Sequence, residues 1–402
     1  MSGLGISAPV GNRTHIIFLG RMNSGKSSLV NALVGQQVSI VNRTPGTTTD
    51  VVKKPMEIHG IGACTILDTA GFDDEGELGS LRTKASKKAL DEADLAILLF
   101  PEGNVTELER SWLEEVLKRG IPVVGVISMI DRMNEDAVSA ARKRIASLNI
   151  PAVCISSAAK EGIPELLEQM REAMKGRISK KRLLGGLVEN GAFVVLVMPQ
   201  DPQAPEGRLI LPEVQTIREV LDRHCVAVCC APEEMESVFT RMQGLPDLVI
   251  TDSQVFGKVY KSLPRGVRLT SFSVLFAALR GDISYYAESA KAIDTLNENS
   301  RVLIAEICTH APMAEDIGRE KIPALLRKRA GAGLKVDICA GSDFPENLTD
   351  YDLIIQCGGC MFNRSHILAR IDRARCAGVP MTNYGIAIAY MNQILDKVIW
   401  PE

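Results

Sequence analysis

Two sets of residues in this chain have types and spacings that can do chemistry, and they stand near its opposite ends. Gly20-Arg21-Met22-Asn23-Ser24-Gly25-Lys26-Ser27 has the form G-x-x-x-x-G-K-S. In such a loop the glycines let backbone N–H groups wrap phosphates at a helix N-terminus. Lys26 then reaches the β- and γ-phosphates, and the Ser27 hydroxyl binds Mg2+, with Ser28 beside it. Far along the chain, Cys308-Thr309-His310 and Cys357-Gly358-Gly359-Cys360 pair a C-x-H with a C-x-x-C. The first set predicts a nucleotide switch and the second a metal site. Together they predict that nucleotide state controls something about a metal.

The elements that must position these residues are legible as alternating apolar strands and amphipathic helices. A strand at 15–19 leads into the phosphate loop and a helix at 27–34 leaves it; further strands fall at 63–67, 95–100, 123–127 and 153–155. Thr106 and Glu109 form a capping box that opens a helix over 106–119. This alternation implies a mostly parallel, doubly wound sheet. The basic run Lys175 to Arg182 reads as a linker. Beyond it, strands at 193–198, 226–230 and 248–251 form a middle unit whose Cys225, Cys229 and Cys230 read as packing residues. Strands at 301–308, 336–339 and 353–357 alternate with helices at 272–279, 285–297, 321–329, 366–376 and 385–396. The expected class is α/β with three domains: a P-loop domain over 1–176, a central domain over 183–268, and a metal domain over 269–402.

Composition bounds the rest. The chain has 402 residues, 46% of them apolar and 24% charged, with a net charge of −3. That excludes a polycationic nucleic-acid binder, and 4% aromatic residues leave few platforms for stacking bases. No apolar run reaches the ~18 residues of a membrane span, and the first residues lack a signal-peptide core, so a cytoplasmic location is expected. Ten cysteines in that reducing setting point to ligands or packing rather than disulfides.

Asp68-Thr69-Ala70-Gly71 follows a strand and suits an Mg2+ shell and a γ-phosphate contact, while Thr44 to Asp50 offers hydroxyls. In order and context these residues resemble the translation-factor-related GTPases of the tRNA-modification and ribosome-assembly branch. The resemblance implies that Thr48 ligates Mg2+, that Lys26, Thr48 and Gly71 carry hydrolysis, and that Ser157-Ala158 contacts the guanine oxygen. Where such GTPases have Asn-Lys-x-Asp, this chain has Ser128-Met129-Ile130-Asp131. The Asp131 carboxylate still accepts from guanine N1–H and N2–H2, a donor pair that adenine lacks. Losing the Asn and the Lys stem is expected to weaken GTP binding by ~1–3 kcal/mol. Phe72 stands where a water-orienting Gln is found in small regulatory GTPases, so slow hydrolysis is expected. For Asn23 two readings stand: a K+ ligand against the phosphates, or an Asn tolerated in a tight loop.

For the distal set, three thiolates and an imidazole fit tetrahedral zinc. Three thiolates fit a 4Fe-4S cluster equally, its fourth iron left to His310, another group or an exogenous ligand. Glu306 and Asp316 are further oxygen candidates. With the cluster motif C-x-H followed by C-x-x-C behind a GTPase domain, the whole chain resembles the FeFe-hydrogenase maturation GTPases, the HydF family. Glu206 to Pro212 and Thr251 to Phe256 also look like that family's central domain, whereas Gln356 stands where its second His is expected. The resemblance implies a homodimeric, GTP-hydrolysing scaffold with a 4Fe-4S cluster on Cys308, His310, Cys357 and Cys360. Its cargo is a diiron precursor built by radical-SAM partners and delivered to apo FeFe-hydrogenase. The competing readings are an RNA-associated GTPase and a GTPase whose zinc only holds the fold.

Overall fold

The computed structural model of the chain describes residues 9–34, 38–40, 52–69, 77–177, 182–200, 209–306, 317–341 and 343–401. It divides into two compact units, Met1–Ser179 and Lys180–Glu402. Among the described residues no helix is long and apolar enough to cross a membrane.

The first unit is built on a seven-stranded sheet of β1 (Thr14–Leu19), β2 (Val38–Ile40), β3 (Val52–Ile58), β4 (Gly62–Asp68), β5 (Leu95–Pro101), β6 (Val123–Ser128) and β7 (Ala152–Ile155), in the order β2-β3-β4-β1-β5-β6-β7. From β4 to β7 the neighbours run parallel, and β3 pairs antiparallel with both β2 and β4. Both faces are covered, so the central strands are apolar throughout. Ile16 and Phe18 pack on one face with the helices Lys26–Val34 and Ile163–Met174; Ile17 and Leu19 pack on the other with Glu107–Lys118 and Glu135–Ala146. The antiparallel β3 was not legible because Lys53, Lys54 and Pro55 interrupt its pattern. Within β3, Pro55 stands opposite Thr65 of β4, while the described residues of β2 pair with Met56 to Ile58.

The second unit holds two smaller parallel sheets. One consists of β8 (Phe193–Val197), β9 (Val226–Cys230), β10 (Leu248–Thr251) and β11 (Leu269–Ser271), in the order β11-β10-β8-β9. The other consists of β12 (Arg301–Ala305), β13 (Lys335–Cys339), β14 (Leu353–Gln356) and β15 (Met381–Asn383), in the order β13-β12-β14-β15. Val195 and Val249 of the first sheet share one core with Leu303 and Ile354 of the second. The helix Phe272–Arg280, with only Ser273 and Leu279 half-buried, packs between that core and a second one containing Val194 and Leu248. Of the middle cysteines, Cys225 is buried, while Cys229 is exposed on the edge strand β9.

Several elements end earlier than their apolar runs suggest. β12 stops at Ala305 and β14 at Gln356, so Cys357 is the first residue beyond its strand. The closing helix spans Tyr384–Met391 only, because Gln393 turns left-handed at φ +58°.

Candidate functional site

The phosphate loop joins β1 to the helix Lys26–Val34, as its chemistry requires. Gly25 has φ +90°, a conformation that glycine adopts without strain. A Cβ at Gly20 would stand 2.6 Å from Ser24 Oγ, so a side chain there would force the serine to turn away. Lys26 Nζ lies back over the loop, donating to the carbonyl oxygens of Gly20 at 2.6 Å and Arg21 at 2.7 Å. Asn23, Ser27 and Ser28 are exposed, and Asn23 is left-handed at φ +58°, a region in which Asn is enriched. The loop is also held from the side: Arg21 Nε pairs with Glu109 Oε1 at 2.6 Å. Glu109 is the expected capping-box residue, and its other oxygen accepts the Thr106 N–H at 2.9 Å.

The turn after β6 is tied to the same loop. The Ser128 hydroxyl donates to the Ser24 carbonyl at 2.8 Å. Met129 is left-handed at φ +62°, and its methyl lies 3.7 Å from the place a Cβ would take at Gly25. Asp131 is exposed, with one carboxylate oxygen accepting from Ser156 Oγ at 2.7 Å. The same Ser156 oxygen accepts the Ala159 N–H at 3.1 Å. Ser157 and Ala158, the expected guanine contacts, lie on this turn, half-buried and exposed respectively. Ser156 itself was missed: two consecutive serines follow β7, and spacing alone does not say which one turns inward.

On the metal side, Asp68 ends β4 with its carboxylate 3.0 Å from Lys54 Nζ, a partner that the unread strand β3 supplies. Thr69 Oγ1 donates to the Phe18 carbonyl at 2.7 Å, fixing the end of β4 beside β1. Thr48, Gly71 and Phe72 lie outside the described residues.

In the last sheet the parallel register places the strand ends in a row: Cys339 opposite Ala305, Ala305 opposite Gln356, Gln356 opposite Asn383. Cys357 and Cys360 follow directly on this carboxyl edge, both half-buried, and the Cys357 N–H donates to the Ala305 carbonyl at 3.0 Å. Gly359 has φ +68° and turns the loop between them. Arg280 clamps that loop, donating from Nη1 to the carbonyls of Gly359 and Phe362, both at 2.5 Å. Burial pulls the Arg280 guanidinium down to about 10, against the opposing pull of Cys360. Gln356 points into the core at 1% exposure, its amide nitrogen 3.4 Å from the Tyr286 hydroxyl oxygen. Glu306 accepts from Arg319 at 3.0 and 3.2 Å, so its charge is already paired. Cys308, His310 and Asp316 lie outside the described residues. Among the described residues, no group of three or more His, Cys, Asp or Glu is placed to hold a metal ion. The soft thiols of Cys357 and Cys360, on a glycine turn beside buried guanidinium, fit one side of a thiolate-liganded, anionic group.

Comparison with known proteins finds three family matches along the chain. Residues 15–129 match the 50S ribosome-binding GTPase family, 183–281 the hydrogen maturase F dimerization domain, and 284–401 the hydrogen maturase F tetramerization domain. The tRNA modification GTPase MnmE of Moorella thermoacetica is 32% identical over 168 residues, 40% of this chain and 35% of that protein. MnmE of Nitrosomonas europaea is 40% identical over 121 residues, 29% of this chain and 26% of that protein. The chain thus spans between about a quarter and about a third of the length of these relatives. The G domain of the T. maritima FeoB iron transporter is 29% identical with a TM-score of 0.31, covering 40% of this chain and 98% of that one. The first unit is a GTP-hydrolysing domain, and its relatives imply GTP with Mg2+. The names of the two matched domains of the second unit indicate oligomerization.

Proposed function

The chain belongs to the hydrogen maturase F family, and on that premise we propose that it is a GTP-hydrolysing carrier of an iron–sulfur site. In this reading residues 1–176 bind and hydrolyse GTP, 183–268 join two copies, and 269–402 hold the cluster. Gly20, Asn23, Ser24, Gly25, Lys26, Ser27 and Ser28 cradle the phosphates. Thr48 and Asp68 complete the Mg2+ shell with Ser27, Gly71 meets the γ-phosphate, and Asp131, Ser157 and Ala158 read guanine. Lys26 must leave the Gly20 and Arg21 carbonyls to reach phosphate, so its present bonds hold the ammonium in place until a nucleotide arrives.

The observation that carries the cluster assignment is the placement of Cys357 and Cys360. They open from the carboxyl edge of a parallel sheet, where ligands of open α/β sheets bind. Cys308 and His310 follow in sequence from the neighbouring β12. Three thiolates would leave one iron of a 4Fe-4S group to His310, another group or an exogenous ligand, which gives an incoming diiron precursor an exchangeable position. Switch segments ordered by the γ-phosphate would then govern association with the radical-SAM partners and with apo FeFe-hydrogenase.

Anaerobic reconstitution with iron and sulfide, followed by reduction and EPR, tests the assignment. A reduced 4Fe-4S signal is expected in the wild type and its loss in Cys357→Ala. A colourless wild type holding one tight zinc overturns the reading. Asn23 is open to a monovalent cation beside the phosphates; hydrolysis equally fast in Na+ and K+ removes that role.

A further inference from the structure

Arg370 belongs to the helix Arg364–Cys376 and is only 2% exposed. Its Nη2 donates to the Gly341 carbonyl. The guanidinium lies 4.8 Å from the Phe344 ring centre and 5.7 Å from that of Phe362. Nε and Nη1 are buried with no hydrogen-bond partner among the described residues. A buried cation with two unsatisfied N–H groups is costly unless an anion compensates it.

The surroundings indicate where that anion belongs. Apart from burial, the groups that act most on the Arg370 charge are the thiols of Cys339 and Cys357. Cys339 ends β13, and Cys357 follows the end of β14, on either side of β12. Both cysteines thus stand at the carboxyl edge of the sheet, Cys339 in register with Gln356 and Cys357 one residue beyond it. Phe362, which lies under the guanidinium, has its carbonyl held by Arg280, so the arginine and the Cys357–Cys360 loop are parts of one packed assembly.

We propose that Arg370 is the counter-cation of this site, its free N–H groups compensating the negative charge of a thiolate-ligated iron–sulfur group on Cys357 and Cys360. The proposal rests on the cluster reading above. Each electron added to such a group adds a negative charge, and a buried guanidinium beside it favours the reduced form. Arg370 is thus a positioning and charge-setting residue rather than a ligand.

The test is an EPR-monitored redox titration of the reconstituted full-length chain, with iron content and thermal unfolding measured alongside. At the potential that half-reduces the wild type, Arg370→Met is expected to lower the reduced-to-oxidised ratio roughly tenfold. Arg370→Lys, which keeps the charge, is expected to retain most of the wild-type ratio. Where the Met variant does not fold, Arg370→Gln replaces it, removing the charge while keeping an N–H for Gly341. An uncharged variant that folds, binds the same iron and titrates like the wild type overturns the proposal and leaves Arg370 a packing residue. A wild type that takes up no iron–sulfur group overturns instead the cluster reading beneath it, and iron content tells the two failures apart.

Discussion

The Ser128 hydroxyl donates to the backbone carbonyl of Ser24 at 2.8 Å, a buried bond between residues 104 positions apart. It ties the end of β6, which leads to Asp131, to the glycine-containing loop between β1 and the helix Lys26–Val34. The departure from Asn-Lys-x-Asp therefore removes less than the residue types alone suggest. A hydroxyl keeps a tether, and Met129 keeps an apolar stem against Gly25. Ser128→Ala is expected to weaken GTP binding about three- to tenfold, the worth of one buried hydrogen bond. Calorimetric titration of both proteins checks it; equal affinities would mean that the tether does not position the loop.

Asp131 and Ser156 give a sharper prediction. The serine hydroxyl donates to one carboxylate oxygen at 2.7 Å and so fixes the orientation of the carboxylate. Asp131→Asn replaces an acceptor pair with one acceptor and one donor, which matches xanthine and mismatches guanine. GTP affinity is expected to fall about a hundredfold while XTP binding rises, since a mispaired polar edge costs roughly 1–3 kcal/mol per group. Ser156→Ala is expected to weaken GTP binding without changing base preference. Competition with a fluorescent GTP analogue reads both effects.

Much of this organisation was legible in the sequence, for a physical reason. The central strands of the first sheet are covered on both faces, so they appear as apolar runs such as Ile16 to Leu19. The Thr106–Glu109 capping box likewise writes a helix start into four residues. What stayed hidden depends on partners far along the chain. β3 carries Lys53, Lys54 and Pro55, which break the apolar pattern, and its antiparallel partner β4 supplies Asp68 as the ion-pair partner of Lys54. The short strands β11 and β15 have three residues each, too few to show a period. At the candidate cluster site the cysteines announce themselves by spacing, whereas Arg280 is one charge at the end of an apolar helix and Arg370 is one of four arginines in a mixed one. Only packing places them beside the Cys357–Cys360 loop.

Gly162 gives a stability test of the turn that presents Ser157 and Ala158. Its φ is +78°, and a Cβ there would stand 2.0 Å from the Cys154 carbonyl oxygen. The conformation and the clash act together, and the backbone atom has no rotamer with which to move away. Gly162→Ala is expected to destabilise the first unit by ~2 kcal/mol or more. Denaturant unfolding followed by Trp112 fluorescence measures it, and a loss within error would show that the turn relaxes freely.

His15 predicts how the first unit responds to acid. It sits in β1 at 2% exposure, with Nδ1 3.7 Å from a Glu92 oxygen. Burial pushes its pKa below the ordinary 6.5, Asp94 and Glu92 pull it back up, and Lys53 adds to the depression. The unfolded chain therefore binds a proton at this position more readily than the folded one. Stability is full above pH 6.5 and is lost as the pH falls below it towards the folded value, with at most one proton taken up on unfolding. That corresponds to a slope of at most roughly 1.4 kcal/mol per pH unit. The window of interest therefore lies between about pH 6.5 and 5, the range just below the ordinary histidine value. His15→Phe, which keeps an aromatic ring in the core without a titrating group, is expected to flatten the stability profile there while leaving the more acidic limb intact. Denaturant midpoints measured across the window in wild type and variant decide the matter. Parallel profiles would mean that Asp94 and Glu92 hold the imidazole charged in the folded chain, so that their pull outweighs burial.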